Sequence, residues 1–330
     1  MTNRVSWVLL LAILSVLNVR GQALQRGDLL VSTFECLDPV TFPCPGESQV
    51  TKILVYGSDG AFKRKLIQSN GAYFDTVVDQ AGFVWAALGF PLQKIDRGGN
   101  VVASYSAGRD LFRLAPAADG RLFTSDGHAV VVFSADGTVL RIIDLSNQPG
   151  SAGQALDLAA DQCTLYYSSA GSSSVLRYNA CTNEFLGLLA TVEPSLETLR
   201  LLPDSSLLVA GATATSSGVL HLSAAGAVIR GYSGVAGLVA LDVDGKSFWS
   251  TGNKTLYKID IDSGQVLIGP VNVGLVINGI GVVGEPRVAT SAEAIAAIPT
   301  LSTWVLFALA TILATIAVIR IRVHKGASAG

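Results

Sequence analysis

Apolar and polar positions alternate with a period of two along most of this chain, and the alternation is cut at short intervals by Asp-Gly pairs. The stretch from Leu114 to Leu140, LAPAADGRLFTSDGHAVVVFSADGTVL, shows the unit. It predicts four strands joined by three turns, each turn carrying an Asp-Gly that accommodates the positive φ of a tight hairpin. Long amphipathic stretches with a helical period are scarce, and Gly is abundant. Coiled coils and helical repeats are therefore excluded.

The unit recurs. An Asp that follows an apolar pair appears at Asp79, Asp119, Asp161, Asp204 and Asp244, at spacings of 40, 42, 43 and 40. Four residues later stand Phe83, Phe123, Leu165, Leu208 and Phe248. A later turn is marked by Gly60, Gly99, Gly137, Asn183, Gly226 and Gly264, which makes six units in all. Four strands in about forty residues is the blade size of a β-propeller. The expected fold is all-β, a six-bladed propeller over residues 24–285, with seven blades as the alternative if the long first unit hides another sheet. An open ring would expose a strand edge and an apolar face. Closure is expected from Asn278–Gly284, an innermost strand, pairing with the later strands supplied by Asp28–Phe74.

The two ends break the pattern. Residues 1–23, MTNRVSWVLLLAILSVLNVRGQA, have a positive start at Arg4, an apolar run to about Val19 and small residues at Gly21 and Ala23. That is the layout of a secretory signal peptide, the alternative being an N-terminal anchor. Residues 301–319, LSTWVLFALATILATIAVI, carry no charge and are followed by Arg320, Arg322, His324 and Lys325. The run is long enough to cross hydrocarbon, and the basic stop predicts a cytoplasmic C-terminus with the body outside. Residues 286–297 read as a linker.

Composition adds two constraints. The chain has 50% hydrophobic and 15% charged residues, and a net charge of −2. There is no basic footprint for nucleic acid. Four cysteines in an exported chain predict two disulfides. Cys163 and Cys181 fall within one blade, and Cys36 and Cys44 flank the insertion ECLDPVTFPCPG. No CxxC pair with a nearby His suggests zinc.

Candidate chemistry is sparse. Of three histidines, His324 is in the tail, His128 follows Gly127 in a turn, and His221 lies in a strand-like VLHLS. Neither His128 nor His221 comes with a GxSxG elbow. Gly279–Gly284 matches GxGxxG, but Glu285-Pro286-Arg287 follows where a dinucleotide site needs a helix, so the match is rejected. The positions four residues before the marker Asp are Asp75, Ala115, Asp157, Arg200 and Ala240. They place Asp75 and Asp157 in the central channel with Arg200 opposite. Such carboxylates either hold a hard cation such as calcium through oxygen ligands, or pair with Arg200 and Arg113. Trp85, Trp249, Tyr166 and Tyr167 are expected between blades.

Two resemblances go further. Lines such as TVVDQAGFVWAA and LDVDGKSFWSTGNKTLYKIDIDSGQVL resemble NHL and gluconolactonase-like six-bladed propellers, and more loosely the streptogramin-lyase-like ones. In gluconolactonase-like proteins a channel divalent ion held by Glu, Asn and Asp activates a lactone. The resemblance implies Asp75, Asp157 and Asn278 as ligands here, with no Glu in the expected first-blade position. The second is terminal: Ile298-Pro299-Thr300-Leu301 and Trp304, an apolar helix and a basic tail over residues 298–325 resemble the IPTL-type sorting domain of Gram-negative bacteria. That family reads IPTLxxWG and is processed by an exosortase-like membrane enzyme; here Val305 stands at the usual Gly. The sequence thus leads to an exported, envelope-anchored propeller that binds a surface protein or glycan without catalysis. The rival is a metal-dependent hydrolase or lyase.

Overall fold

A computed structural model describes residues 23–37, 49–71, 73–148, 153–169, 173–192, 195–212, 217–235, 237–252 and 254–287. They form six four-stranded antiparallel sheets. From axis to rim, blade 1 is Val276–Val282, Leu29–Cys36, Gln49–Tyr56 and Phe62–Asn70. Blade 2 is Asp75–Val78, Val84–Ala87, Leu92–Ile95 and Val101–Tyr105. Blade 3 is Arg113–Pro116, Leu122–Ser125, Ala129–Phe133 and Val139–Asp144. Blade 4 is Gly153–Leu158, Thr164–Ser169, Ser174–Asn179 and Glu184–Thr191. Blade 5 is Ser195–Leu201, Leu207–Ala212, Ser217–Leu222 and Val228–Ser233, and blade 6 is Val239–Leu241, Ser247–Thr251, Thr255–Asp260 and Val266–Asn272.

Each inner strand touches the inner strands of the blades before and after it, so the six close into a ring. The clasp is blade 1, whose inner strand comes from the end of the chain and whose other three come from the start. Val282 pairs with Leu29 and Gly279 with Ser32. Blade 1 explains the two glycines that mimic a dinucleotide motif. A Cβ on Gly281 would stand 2.3 Å from the Thr76 carbonyl oxygen, and one on Gly279 2.8 Å from the Asp75 Cα. Glycine there lets the closing strand lie against blade 2.

The core is six clusters, one between each pair of neighbouring blades. Trp85 and Phe133 pack between blades 2 and 3, and Trp249 and Tyr56 between blades 6 and 1. Both indoles are essentially unexposed, each contributing roughly 2–3 kcal/mol of apolar burial. All three Asp-Gly pairs of Leu114–Leu140 fall in hairpins, at φ of 87°, 90° and 84° for Gly120, Gly127 and Gly137.

The repeat marker slips in blade 2. The amide of Asp79 bonds the Phe83 carbonyl, as Ala117 bonds Arg121 and Leu202 bonds Ser206. Asp79 is therefore equivalent to Ala117 and Leu202, two residues before the position of Asp119 and Asp204. Asp119 and Asp204 cap an amide two residues on, whereas Asp79 caps Phe83 and also accepts from the Trp85 indole N–H at 2.8 Å. One residue type does two local tasks, and spacing alone does not separate them.

Cys163 and Cys181 are bridged, with Cα atoms 5.2 Å apart. Cys36 is disulfide-bonded, and Cys44, its expected partner, lies outside the described residues. The expected signal peptide and the sorting motif, apolar run and basic stop of residues 298–325 lie outside them too. Among the described residues no helix is long and apolar enough to cross a membrane.

Candidate functional site

Inner strands pair on one side only, so their other edge turns backbone N–H groups towards the axis. Buried donors need partners, and the charged side chains of the channel supply them. Asp75 accepts from its neighbour Thr76 at 2.9 Å and from Leu114 of blade 3 at 3.0 Å. Asp157 accepts from Leu158 at 2.9 Å and from Leu201 of blade 5 at 2.9 Å. Thr198 accepts from Val239 of blade 6 at 3.1 Å. Each side chain thus staples its blade to the next.

The slipped marker matters at this point. Asp75 lies three residues before the last paired position of its inner strand, level with Arg113, while Asp157 and Arg200 lie one residue before theirs. The two carboxylates expected to face each other therefore sit on different rungs, offset by two residues, or ~6.6 Å along a strand.

Basic groups fill the space between. Arg113 Nη1 donates to the carbonyl oxygens of Phe74 at 2.7 Å and Asn278 at 3.0 Å, reaching back across two blades. Arg200 donates to the Leu199 carbonyl at 2.9 Å and pairs with Glu285 at 3.3 Å. Glu285 also accepts from Leu241 of blade 6 at 2.7 Å. Arg287 bonds Glu285 at 3.1 Å and Asp157 at 3.3 Å. Glu285, the last residue of the expected propeller, and Arg287, expected in the linker, turn back into the channel. The only signal for this was a pair of opposite charges placed directly after the last strand.

The electrostatics follow from burial. Asp75 is 3% exposed; burial pushes its carboxyl above the usual range against the pull of Arg113 and Arg200. Burial lowers Arg113, with Asp75 and Glu197 opposing. Burial also works against Arg200, but Glu285, Asp157 and Asp75 outweigh it and raise its pKa.

In the channel each oxygen of Asp75 and Asp157 accepts a backbone amide, the main-chain carbonyl of Asn278 accepts from Arg113, and the neighbouring charges are guanidinium groups, so all three residues have a structural use. Among the described residues no group of three or more His, Cys, Asp or Glu is placed to hold a metal.

His221 Nε2 lies 2.8 Å from Ser206 Oγ, and Ser206 Oγ donates to Asp204 at 2.6 Å. A triad needs the carboxylate beyond the imidazole, and here it sits beyond the serine. Both Ser206 and His221 are buried.

The two channel mouths differ. The described chain both begins and leaves at the mouth where inner strands end: Gly27 donates to the Val283 carbonyl at 2.8 Å, and a small pocket opens there between Asp79, Pro116, Glu285 and Arg287. At the opposite mouth, just before Asp75 and Arg113, the rings of Phe74 and Phe112 meet edge to face at 5.1 Å. Phe90, beside them in the blade 2 loop, is 54% exposed.

No protein-family model and no curated protein matches the chain. Solved structures do. A Bacteroides caccae protein of unknown function is similar over 79% of this chain and 100% of its own, at 15% identity and a TM-score of 0.59. A chain of a mitotic checkpoint complex is similar over 70% of this chain and 77% of its own, at 13% identity and a TM-score of 0.51. A Kuenenia stuttgartiensis hydrazine synthase chain is similar over 61% of this chain and 67% of its own, at 15% identity and a TM-score of 0.49, and adds nothing further. Likeness at such identity defines the class: the chain is an all-β, six-bladed propeller. It carries no activity with it.

Proposed function

We propose that this chain is an exported propeller, anchored in the bacterial envelope by its C-terminal tail, that works at the cell surface as a non-catalytic binding module for a protein or glycan. The observation that carries this reading is the use of the channel carboxylates. Asp75 and Asp157 spend both oxygens on backbone amides of successive blades, which supports a structural channel over a reactive one. Binding then falls to the mouth away from the chain ends, where Phe74, Phe112 and exposed Phe90 offer aromatic surface beside Arg113. The anchor reading is supported by the Ile298-Pro299-Thr300-Leu301 motif with Trp304, the uncharged run 301–319 and the basic Arg320, Arg322 and Lys325. An exosortase-like enzyme is the implied processing partner.

The test is elemental analysis of the purified protein together with capture of surface proteins and glycans by wild type and by Phe90→Ser/Phe112→Ser. No stoichiometric metal and capture lost in the variant is the expected result. One tightly held divalent ion, released by Asp75→Asn/Asp157→Asn, would overturn it in favour of a gluconolactonase-like hydrolase or lyase. Alanine in place of Ile298 to Leu301 is expected to change the size and envelope location of the protein.

A further inference from the structure

The inner strands set one residue of every blade around the mouth away from the chain ends. Four residues before the last paired position stand Asn278, Phe74, Phe112, Gln154, Glu197 and Gly237, in blades 1 to 6. Asn278 and Glu197 are the extra residues of β-bulges, and a bulge re-aims the side chain it leaves unpaired. The ring has two sides. Phe74 and Phe112 are partly exposed and meet edge to face at 5.1 Å. Exposed Phe90 continues that side, since Phe74 Cε2 lies 3.2 Å from where a Cβ on Gly89 would stand. Glu197, on the blade opposite Phe74, is partly exposed too, and its Oε2 stands 3.5 Å from the Cβ position that Gly237 leaves empty. Arg113 reaches from blade 3 to the Asn278 carbonyl of blade 1 and floors the space between. The rim carries unspent negative charge. Arg113 has Asp75 beside it and feels Glu197 as well. Arg109 is paired with Asp126 and Lys52 with Glu35, and Lys254 lies out on the hairpin between the second and third strands of blade 6. Glu197, and Asp110 beside Gly89, enter no hydrogen bond or ion pair among the described residues.

We propose that this mouth takes a protonated alkyl amine, the side chain of a lysine on a surface protein, with its stem on the phenylalanines and its ammonium at Glu197. The inference rests on the binding-module reading above and names the group that the module recognises. A lysine lays its methylene stem along apolar surface and keeps its charged end polar. The faces of aromatic rings attract such a cation, and a carboxylate with free lone pairs gives it a charge-assisted hydrogen bond. Charge decides against the alternatives. An anionic group would meet Glu197 and Asp110 as like charges. A neutral sugar would draw nothing from them beyond ordinary hydrogen bonds, and the three phenylalanines offer its hydroxyls no polar tip. An amino sugar shares the ammonium but has no apolar stem for the aromatic side.

The experiment titrates the full chain in detergent, against a detergent blank, with three probes read by ligand-observed NMR: Nα-acetyl-lysine amide, its neutral Nε-acetyl derivative, and glucosamine. The lysine amide is expected to bind, and its neutral derivative to bind about tenfold more weakly. Glu197→Gln is expected to erase that difference with an unchanged unfolding midpoint, while Phe112→Ser weakens both lysine probes. Equal binding of the two lysine probes, a difference that survives Glu197→Gln, or no binding of any probe would overturn the inference. Glucosamine binding as tightly as the lysine amide would overturn it too, in favour of an amino glycan. The capture experiment separates this failure from that of the wider reading. Capture lost in Phe90→Ser/Phe112→Ser but intact in Glu197→Gln removes the lysine alone, whereas capture intact in both removes the binding mouth itself.

Discussion

The carboxylate of Asp157 and the amide of Leu201, 44 residues apart in sequence, meet at 2.9 Å and tie the inner strand of blade 4 to that of blade 5. The same carboxylate receives Arg287 from the end of the described chain. One side chain therefore couples two neighbouring blades to the closing blade. Asp157→Ala leaves the Leu158 and Leu201 amides without this acceptor and Arg287 with Glu285 as its remaining ion-pair partner, and is expected to cost about 3 kcal/mol. Asp157→Asn keeps one acceptor and should cost less. Urea unfolding of both variants checks the order, and equal costs would mean that the charge, not the staple, is what matters.

Gly281 makes the ring close. Its Cβ in an alanine variant would meet the Thr76 carbonyl oxygen at 2.3 Å, and backbone does not swing aside as a flexible side chain would. Gly281→Ala is expected to lose ~2–3 kcal/mol by overpacking. Gly231→Ala is a control for space, since its added Cβ would meet nothing nearer than the Leu220 side chain at 3.4 Å. Thermal melts of the two decide the point.

Much of this architecture is legible in the sequence because its causes are local. Alternation predicts the strands, Asp-Gly the hairpins, and the split of blade 1 follows from which strands are missing at each end. The channel is less legible because its chemistry is relational. The sequence places Asp75 and Asp157 in the channel, yet their rungs depend on strand register, and Asp79 mimics a marker that belongs two residues later. Glu285 stands at the expected end of the propeller and Arg287 in the expected linker, and no strand pattern marks either for the channel. Their role appears only once Arg200, Asp157 and the Leu241 amide are brought to the same place.

The Cys163–Cys181 bridge spans 18 residues and joins the turn before the second strand of blade 4 to the turn before its fourth. Closing a loop of that length is expected to stabilise the fold by ~3 kcal/mol on the chain-entropy account. Cys163→Ser/Cys181→Ser should lower the unfolding midpoint accordingly. Reducing agent should then shift the double variant less than the wild type, leaving only the effect of the Cys36 bridge.

His221 gives the fold a pH dependence of known sign. Burial lowers its pKa, and the nearby charges of Asp204 and Asp262 only partly oppose this. The unfolded chain therefore takes up the proton first, near pH ~6.5. Stability from this residue is present above that pH and is lost as pH falls towards the folded value. Urea midpoints measured from about pH 8 to about pH 5 should fall in wild type and flatten in His221→Gln. A wild-type curve that is already flat would remove His221 from the account.

Glu285 is the residue most exposed to test, because it is the last residue of the expected propeller and the linker is expected to start directly after it. Its side chain and that of Arg200 are 4% and 5% exposed, so the pair is desolvated. Glu285→Ala leaves a buried guanidinium facing Arg287 without its main counter-charge, at an expected cost of about 3–5 kcal/mol. Arg200→Met/Glu285→Leu removes both charges and should recover part of that loss, since an apolar pair of similar volume needs no desolvation. A chain ending at Gly284 should be as weak as Glu285→Ala, whereas one ending at Val288 should match the full-length body. If ending at Gly284 costs nothing, the residues after the last strand are only a tether and the channel is held by the inner strands alone.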